Sequence, residues 1–342
     1  MRVVIVGGGV VGLLLGRLLR DRGFEPVVLE RNPPDSHMPR GFMLGFQGFP
    51  ALEDVGLYEE VRGAGWDIAP REDGTPVAIC VDFKKFVGFL GDGVPVAHGE
   101  SVVELIEDGD RIVGAVTEGP GGRAEVPADL VVACDGAGSP TREMAGLPVK
   151  VTELSGGAFG FLSPTIIDRS FAMKYLSDGN IIGLLGWPDG SAGWWTVDKL
   201  DPEEALAPGL DAFKNSFRTL LPEATEALDG VTSLDQVRYT HPRVISAERW
   251  WRPGAVILGD AAHFFGPETG VSAGLGLGDA HALAEAIKQN PDDPDAACAS
   301  YQMWREPVVR PYEANDPGLQ GTADVENEDR PEAERWPPVA SA

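Results

Sequence analysis

The sequence predicts an α/β fold in which a Rossmann-like dinucleotide-binding domain carries a second, β-rich layer. Three observations lead there. Gly7, Gly9 and Gly12 form G-x-G-x-x-G directly after the β-branched run Val3 to Val6. Two later apolar strands end in Asp135-Gly136 and in Gly259-Asp260. Between about Ser155 and Ile245 the text becomes a succession of short aromatic-rich runs and turn residues.

Val3 to Val6 suits a buried parallel strand, and Val10, Leu13, Leu14 and Leu18 then recur at helical spacing until Gly23 stops the helix. Pro26 to Glu30 supplies the second strand of a βαβ unit. From Gly41 to Gly65 the expectation is a loop followed by a short helix, with Leu52, Val55, Leu57 and Val61 as core positions. Residues 76 to 118 read as strands around one short helix, Phe83 to Leu90. Ala128 to Cys134 is a further apolar strand. In the β-rich stretch, Leu210 to Leu221 and Glu223 to Leu228 read as helices covering one face of an antiparallel sheet. Parallel-strand text returns at Ala255 to Asp260, followed by a helix from about Gly274 to Lys288. A last helix near Ala296 to Tyr312 carries Tyr301, Trp304, Val308 and Tyr312 on one stripe and is expected to kink at Pro307. The chain beyond Pro317 is polar and acidic, and a disordered tail is expected over 319–342. The domain division is then discontinuous. Segments 1–75, 95–155 and 246–318 form the nucleotide domain, and 76–94 with 156–245 form the β-rich one.

With 342 residues, 43% of them apolar, the chain can bury a sizeable core. Its 53 acidic against 28 basic side chains, a net charge of -25, argue against binding nucleic acid or an anionic membrane surface. Cys80, Cys134 and Cys298 show neither metal-ligand spacing nor an even count, so neither a metal site nor a disulfide framework is expected, and a cytoplasmic setting fits. The apolar N-terminus reads as a strand and helix start rather than a signal peptide, because no small-residue cleavage site follows. No run reaches the roughly 18 apolar residues of a membrane span.

The fingerprint glycines allow a tight turn at Gly7, close approach of the backbone to a pyrophosphate at Gly9, and close helix packing at Gly12. Val10 and Val11 then open a helix whose N-terminus faces the phosphates. Glu30, 18 residues past Gly12, stands where a carboxylate accepts from both ribose hydroxyls, with Arg31 beside it. An acid there disfavours a 2′-phosphate, which leaves FAD or NAD. The later Asp135-Gly136 and Gly259-Asp260 stretches favour FAD. In open α/β sheets both acids point into the crevice beyond the strand ends, and a second glycine-rich helix start far from the first suits the rest of a flavin.

In these three motifs, in this order, the sequence resembles the FAD-dependent monooxygenases similar to para-hydroxybenzoate hydroxylase, the group A flavoproteins. The resemblance implies a Rossmann-like FAD-binding domain of the glutathione-reductase type with a β-rich substrate layer. It carries Asp260 to the ribityl chain and Gly270, Val271 and Gly274 to the flavin ring. It carries Asp135 and Gly136 to FAD and the nicotinamide encounter, Arg40 to a cofactor-reaching loop, and Val102 to adenine. Relatives have an arginine where Phe83 stands, next to Lys84 and Lys85, and an asparagine where Gly274 stands.

The implied reaction is reduction of FAD by NADPH or NADH, capture of O2 as a C4a-hydroperoxyflavin, and hydroxylation or epoxidation of a small, largely apolar aromatic or polyketide-like substrate. The alternative is an FAD-dependent oxidase, dehydrogenase or cyclase that inserts no oxygen. Tyr175, Trp187, Trp194, Trp195 and His241 are the candidates for substrate contact. No catalytic residue is assigned, although His241, Tyr239 and Asp178 are possible proton acceptors, and His263 after the Gly-Asp motif is expected to be structural or near-flavin packing. Partners are the organic substrate and O2, and the oligomeric state stays open.

Overall fold

The computed structural model describes residues 1–153, 156–168, 171–176, 180–197, 201–241, 243–266 and 270–315. The expected tail and Asp178 lie outside them. In chain order, β1 (Val3–Val6), α1 (Val10–Asp21) and β2 (Val27–Glu30) are followed by β3 (Gly41–Gly45), α2 (Phe49–Asp54), α3 (Tyr58–Gly63), β4 (Trp66–Pro70), β5 (Pro76–Asp82) and α4 (Phe83–Gly91). Then come β6 (Val96–His98), β7 (Ser101–Asp108), β8 (Arg111–Gly119), β9 (Gly122–Pro127), β10 (Leu130–Ala133), α5 (Pro140–Met144) and β11 (Val149–Glu153). The middle of the chain holds β12 (Gly157–Ser163), β13 (Phe171–Tyr175), β14 (Ile181–Trp187), β15 (Gly190–Val197), α6 (Pro202–Leu206), α7 (Leu210–Leu220), α8 (Thr225–Asp229) and β16 (Val237–Thr240). The chain returns through β17 (Arg243–Ala247), β18 (Trp251–Arg252), β19 (Ala255–Ile257), β20 (His263–Phe264), α9 (Ser272–Gln289) and α10 (Pro294–Asn315).

The central sheet runs β18-β19-β10-β1-β2-β6, all parallel except the short edge strand β18. Its inner strands are covered on both faces, so Val3, Val4, Ile5 and Val6 are all buried and do not alternate. Helix α1 lays Leu14, Leu15, Leu18 and Leu19 into this core, each fully buried, at about 1.5–3 kcal/mol apiece. The parallel order sets the carboxyl ends of β1, β10 and β19 side by side, which brings the three sequence motifs to one crevice.

The middle of the chain forms an antiparallel sheet ordered β13-β14-β15-β12-β16. Phe159, Phe161, Ile182, Leu184 and Val237 on one face pack against Phe213, Phe217 and Leu228 of α7 and α8. Leu185 and Trp187 on the other face meet Ile68, Ala78 and Cys80 of the small sheet β3-β5-β4. Of segment 76–94, Ala78 and Cys80 join that contact, whereas Phe86 and Leu90 of α4 lie in the large core.

Two local expectations are corrected. Residues 41–45 are a strand, because Phe42, Met43 and Leu44 can pair along the free edge of β5. In α10 the buried line runs through Ala297, Tyr301 and Val309, whereas Trp304 and Val308 are exposed. The helix continues through Pro307 and Pro311, and of the four stripe residues Tyr301 is buried and Tyr312 packs against the core.

Candidate active site at the nucleotide crevice

The first motif separates into glycines the protein itself requires and one it does not. Gly7 has φ +112°, and a side chain there would press into the Cys134 backbone. A Cβ at Gly12 would overlap the Gly7 carbonyl. At Gly9 an added Cβ would meet nothing within 4 Å, so that space is open. Gly9 is also the N-cap of α1, which has no side-chain cap and no acidic residue in its first turn. The Val10 and Val11 amides therefore open toward unfilled space at the positive end of a helix, which suits an anion.

Glu30 ends β2 almost fully buried. Its Oε2 accepts from the Gly8 amide at 2.7 Å, and its Oε1 accepts from the Asn32 backbone at 2.8 Å and the Asn32 side chain at 2.6 Å. Asn32, which the sequence did not single out, thus fixes the carboxylate that Gly8 touches. Arg31 is exposed, and half-buried Val102 lies on β7, which follows the Glu100 amide donating to the Glu30 carbonyl at 3.0 Å.

The two acidic motifs differ in how the protein uses them. Asp135 is consumed locally, accepting from the Ser139 hydroxyl at one oxygen and from the Thr141 amide at 3.1 Å at the other, as α5 begins. Gly136 beside it turns the chain with φ +90°. Half-buried Asp260 accepts no hydrogen bond from any described residue, and burial, with Asp279 adding and His263 opposing, pushes its carboxyl up to about 6. Behind them Arg142 is buried and donates to Ala137 O at 3.1 Å and Ala261 O at 3.0 Å, tying one motif loop to the other.

A second tie was not foreseen. Fully buried Asp279 of α9 accepts from the Gly259 amide at 3.0 Å and from Arg305 Nε at 2.8 Å, and lies 2.6 Å from His263 Nε2. Burial alone would raise its pKa, but His263 and Arg305 more than offset this and hold it below the ordinary carboxylate value. The network fixes the Gly259-Asp260 turn against α9 and α10. His263 is buried within it, stacked on Phe265, in keeping with a packing role. An i, i+4 spacing of His263 from Gly259 carries no such signal, because Asp279 and Arg305 come from other helices.

At the far end, Gly270 has φ +65°, and α9 starts after Val271 with no side-chain cap and no acid in its first turn. A Cβ at Gly274 would reach the Gln47 side chain at 3.0 Å, so Gln47 occupies the space that a side chain at 274 would take. Gln47 Nε2 lies 3.0 Å from the Tyr312 hydroxyl, which braces β3 against α10. Phe83 is buried, and the Arg40 guanidinium stands over its ring at 4.0 Å. Adjacent Lys84 and Lys85 turn to Asp35 and Asp189.

The aromatic candidates of the β-rich layer scatter. Trp187 is buried against Gly41. Trp195 packs on the helix-covered face with Phe159 and Ile182, and adjacent Trp194 takes the opposite face, toward the small sheet β3-β5-β4. Tyr175 is exposed on edge strand β13, and His241 is exposed at the end of β16, edge-on to Tyr239 at 4.9 Å. An open groove of about 610 Å³ lined by Glu59, Arg62, Trp66, Asp67 and Asp168 shares none of the crevice residues.

A fold with a glycine-lined helix start, two strand-end acids and a second bare helix start defines a flavin-nucleotide enzyme class. The family described as FAD binding domain matches residues 1–70 and 91–315, and the chain belongs to it. Its relatives include proteins named as monooxygenases and hydroxylases. The chain is 26% identical to 6-methylpretetramide 4-monooxygenase of Streptomyces rimosus, over 84% of this chain and 76% of that one. It is 27% identical to FAD-dependent urate hydroxylase of Mycolicibacterium vanbaalenii, over 89% and 84%. In fold it is similar to PqsL, a probable FAD-dependent monooxygenase of Pseudomonas aeruginosa, with a TM-score of 0.76, 20% identity, and 94% and 97% of the chains covered. No helix among the described residues is long and apolar enough to cross a membrane.

Proposed function

We propose that this chain is an FAD-dependent monooxygenase that uses NADPH or NADH and O2 to hydroxylate or epoxidise a planar, largely apolar aromatic or polyketide-like molecule in the cytoplasm. The observation that carries the reading is Asp260, a half-buried carboxylate with no hydrogen-bond partner among the described residues, between two uncapped helix starts. A dinucleotide with one acidic pyrophosphate, a hydroxylated linker and an electron-accepting ring matches that sequence of open groups. The Gly9, Val10 and Val11 amides would hold the pyrophosphate, Gly7 and Gly12 the turn, and Glu30 the ribose. Asp260 would hold the ribityl hydroxyls, and Gly270, Val271 and Gly274 the ring. Val102 would meet adenine, Arg31 and Arg40 the outer edge of the cofactor, and Asp135 with Gly136 the wall that the nicotinamide approaches.

When bound, FAD supplies hydride acceptance and O2 activation. The protein's own part is placement. The amide N–H groups at the start of α9 favour negative charge at the ring. Arg142 and Asp279 fix the loops that present Asp135 and Asp260. By their names, two relatives act on 6-methylpretetramide and on para-nitrophenol, which supports an organic substrate of the proposed kind here. The test is to purify the chain, measure FAD per protein, and follow substrate-stimulated NAD(P)H oxidation under labelled O2. One labelled oxygen atom in the product is expected. Reduction with unlabelled product would move the assignment to an oxidase, dehydrogenase or cyclase.

A further inference from the structure

The inner side of α10 is fully engaged. Arg305 donates to Asp279 and to Leu275 O, Arg310 holds Glu306 and the Ser246-Ala247 end of β17, and Tyr301 and Val309 are buried. The outer side is apolar and uncovered. Met303, Trp304 and Val308 are 65%, 37% and 41% exposed, and exposed Ala299 and Pro307 and half-buried Pro311 continue the same side. Between Ala299 and Pro311 the only charged residues are Arg305, Glu306 and Arg310, and each is tied to a partner within the chain. Residues four apart lie one above the other on a helix, so the stripe forms two ridges, Met303-Pro307-Pro311 and Trp304-Val308. Pro307 and Pro311 have no N–H, so Met303 O and Pro307 O receive no intrahelical donor on this face. Trp304 Nε1 has a proton to donate and no acceptor among the described residues.

A short loop flanks the stripe. Gln302, next to Met303, donates to Glu248 O at 3.0 Å and accepts from the Trp250 amide at 3.1 Å, which straps the loop before β18 along α10. Glu248 and Arg249 in that loop are exposed, and neither side chain has a partner among the described residues. Charge then decides what fits. The stripe offers no acid to a basic partner and no cation to an acidic one, and a net charge of -25 sets copies of this chain against each other wherever acids meet. An uncharged ridge with one free acid and one free base at its rim suits a second copy of itself. Ridges of i±4 spacing fit the grooves of an identical helix at about −50°. A two-fold axis repeats every contact, so Glu248 meets the partner's Arg249 and the reverse, while each Trp304 faces the freed carbonyls opposite. We propose that the outer face of α10 is the interface of a weak two-fold homodimer centred on Met303, Trp304, Pro307 and Val308 and paired at its rim by Glu248 and Arg249. One helix face with one loop falls at or below the roughly 1,200 Å² of the smallest stable interfaces, which makes the dimer a reversible one.

The test is sedimentation velocity of the purified full chain across a hundredfold range of concentration. Monomer is expected to give way to dimer with a dissociation constant in the micromolar range. Val308→Glu sets two carboxylates close to the axis and should weaken the dimer at least tenfold, with circular dichroism unchanged because the side chain is exposed. Glu248→Arg and Arg249→Glu should each weaken it as well. An equimolar mixture of those two variants should dimerise more tightly than either alone, a result that requires this rim to meet its own copy. The proposal is overturned if the chain stays monomeric throughout, or if its dimer ignores Val308→Glu and both charge reversals. A monomer that dimerises only after deletion of residues 316–342 would assign the face to that segment and overturn the proposal too.

Discussion

In the nucleotide crevice a residue is dictated by what the backbone has to do, and in the five-stranded sheet by which face of a strand it falls on. Gly7 and Gly12 are required because neighbouring main chain leaves no room for a side chain, and that requirement is the same wherever such a turn is built. Trp194 and Trp195 are the same residue one position apart, yet one meets the small sheet β3-β5-β4 and the other the covering helices. A shift of one residue exchanges the two faces of a strand. The comparison teaches that spacing locates a backbone turn, whereas pairing register locates the face of a sheet.

The sharpest way to break this contrast is within the fingerprint itself. Gly12→Val drives a side chain into the Gly7 carbonyl, a backbone group that cannot move aside, and should abolish both FAD binding and the folded state, as read by circular dichroism and flavin content. Gly9→Ala adds a methyl group to open space, so the apoprotein should melt within about 1 kcal/mol of the parent, while FAD affinity falls at least tenfold. Equal loss of stability in both variants would show that Gly9 serves the fold and not the ligand.

Next in size is the buried hub behind the crevice. Asp279→Ala leaves Arg305 and His263 without their carboxylate and removes the acceptor of the Gly259 amide. Breaking such a pair costs about 3–5 kcal/mol, measurable by urea unfolding, and FAD affinity should fall with it because the Asp260 turn loses its anchor. Intact FAD affinity in a destabilised protein would confine the hub to packing.

A smaller effect tests the sheet. Trp195→Ala opens the helix-covered core and should cost about 2–4 kcal/mol with substrate KM nearly unchanged. Trp194→Ala should cost less stability and raise KM. The reverse pattern would mean that the register has been assigned to the wrong faces.

How much was legible follows the same division. The parallel core, α1, the order of the three motifs and the helices over the antiparallel sheet could be read from period and punctuation, because each is a local property of the chain. The position of β3 could not, since Phe42 to Leu44 become a strand only when β5 offers an edge. Gln47, Asp279 and Arg305 were silent for the related reason that their partners are distant in sequence: Gln47 meets Tyr312, and Asp279 meets Arg305. Asp135 and Asp260 looked equivalent as strand-end acids. Only the hydrogen bonds separate them, one serving α5 and the other without a partner among the described residues.

That last difference carries the mildest prediction and can be read as pH dependence. The Asp260 carboxyl sits at about 6 in the fold against 3.8 in the unfolded chain, so between these values the folded state holds a proton that the unfolded state has released. Stability therefore falls as pH rises from about 4 to about 6, and the slope ends above that. The full shift corresponds to at most about 3 kcal/mol, and less in practice because water reaches part of the group. Asp260→Asn cannot ionise, so the stability of the parent apoprotein relative to this variant should decline across the window and then level off. Bound FAD changes the sign of the preference, because hydroxyl donors favour the carboxylate over the acid. FAD affinity of the parent should rise with pH through the same range, and the stability difference from Asp260→Asn should flatten once FAD is present. Parallel curves for parent and variant, with and without FAD, would mean that Asp260 does not face the cofactor, and the contrast with Asp135 would lose its functional meaning.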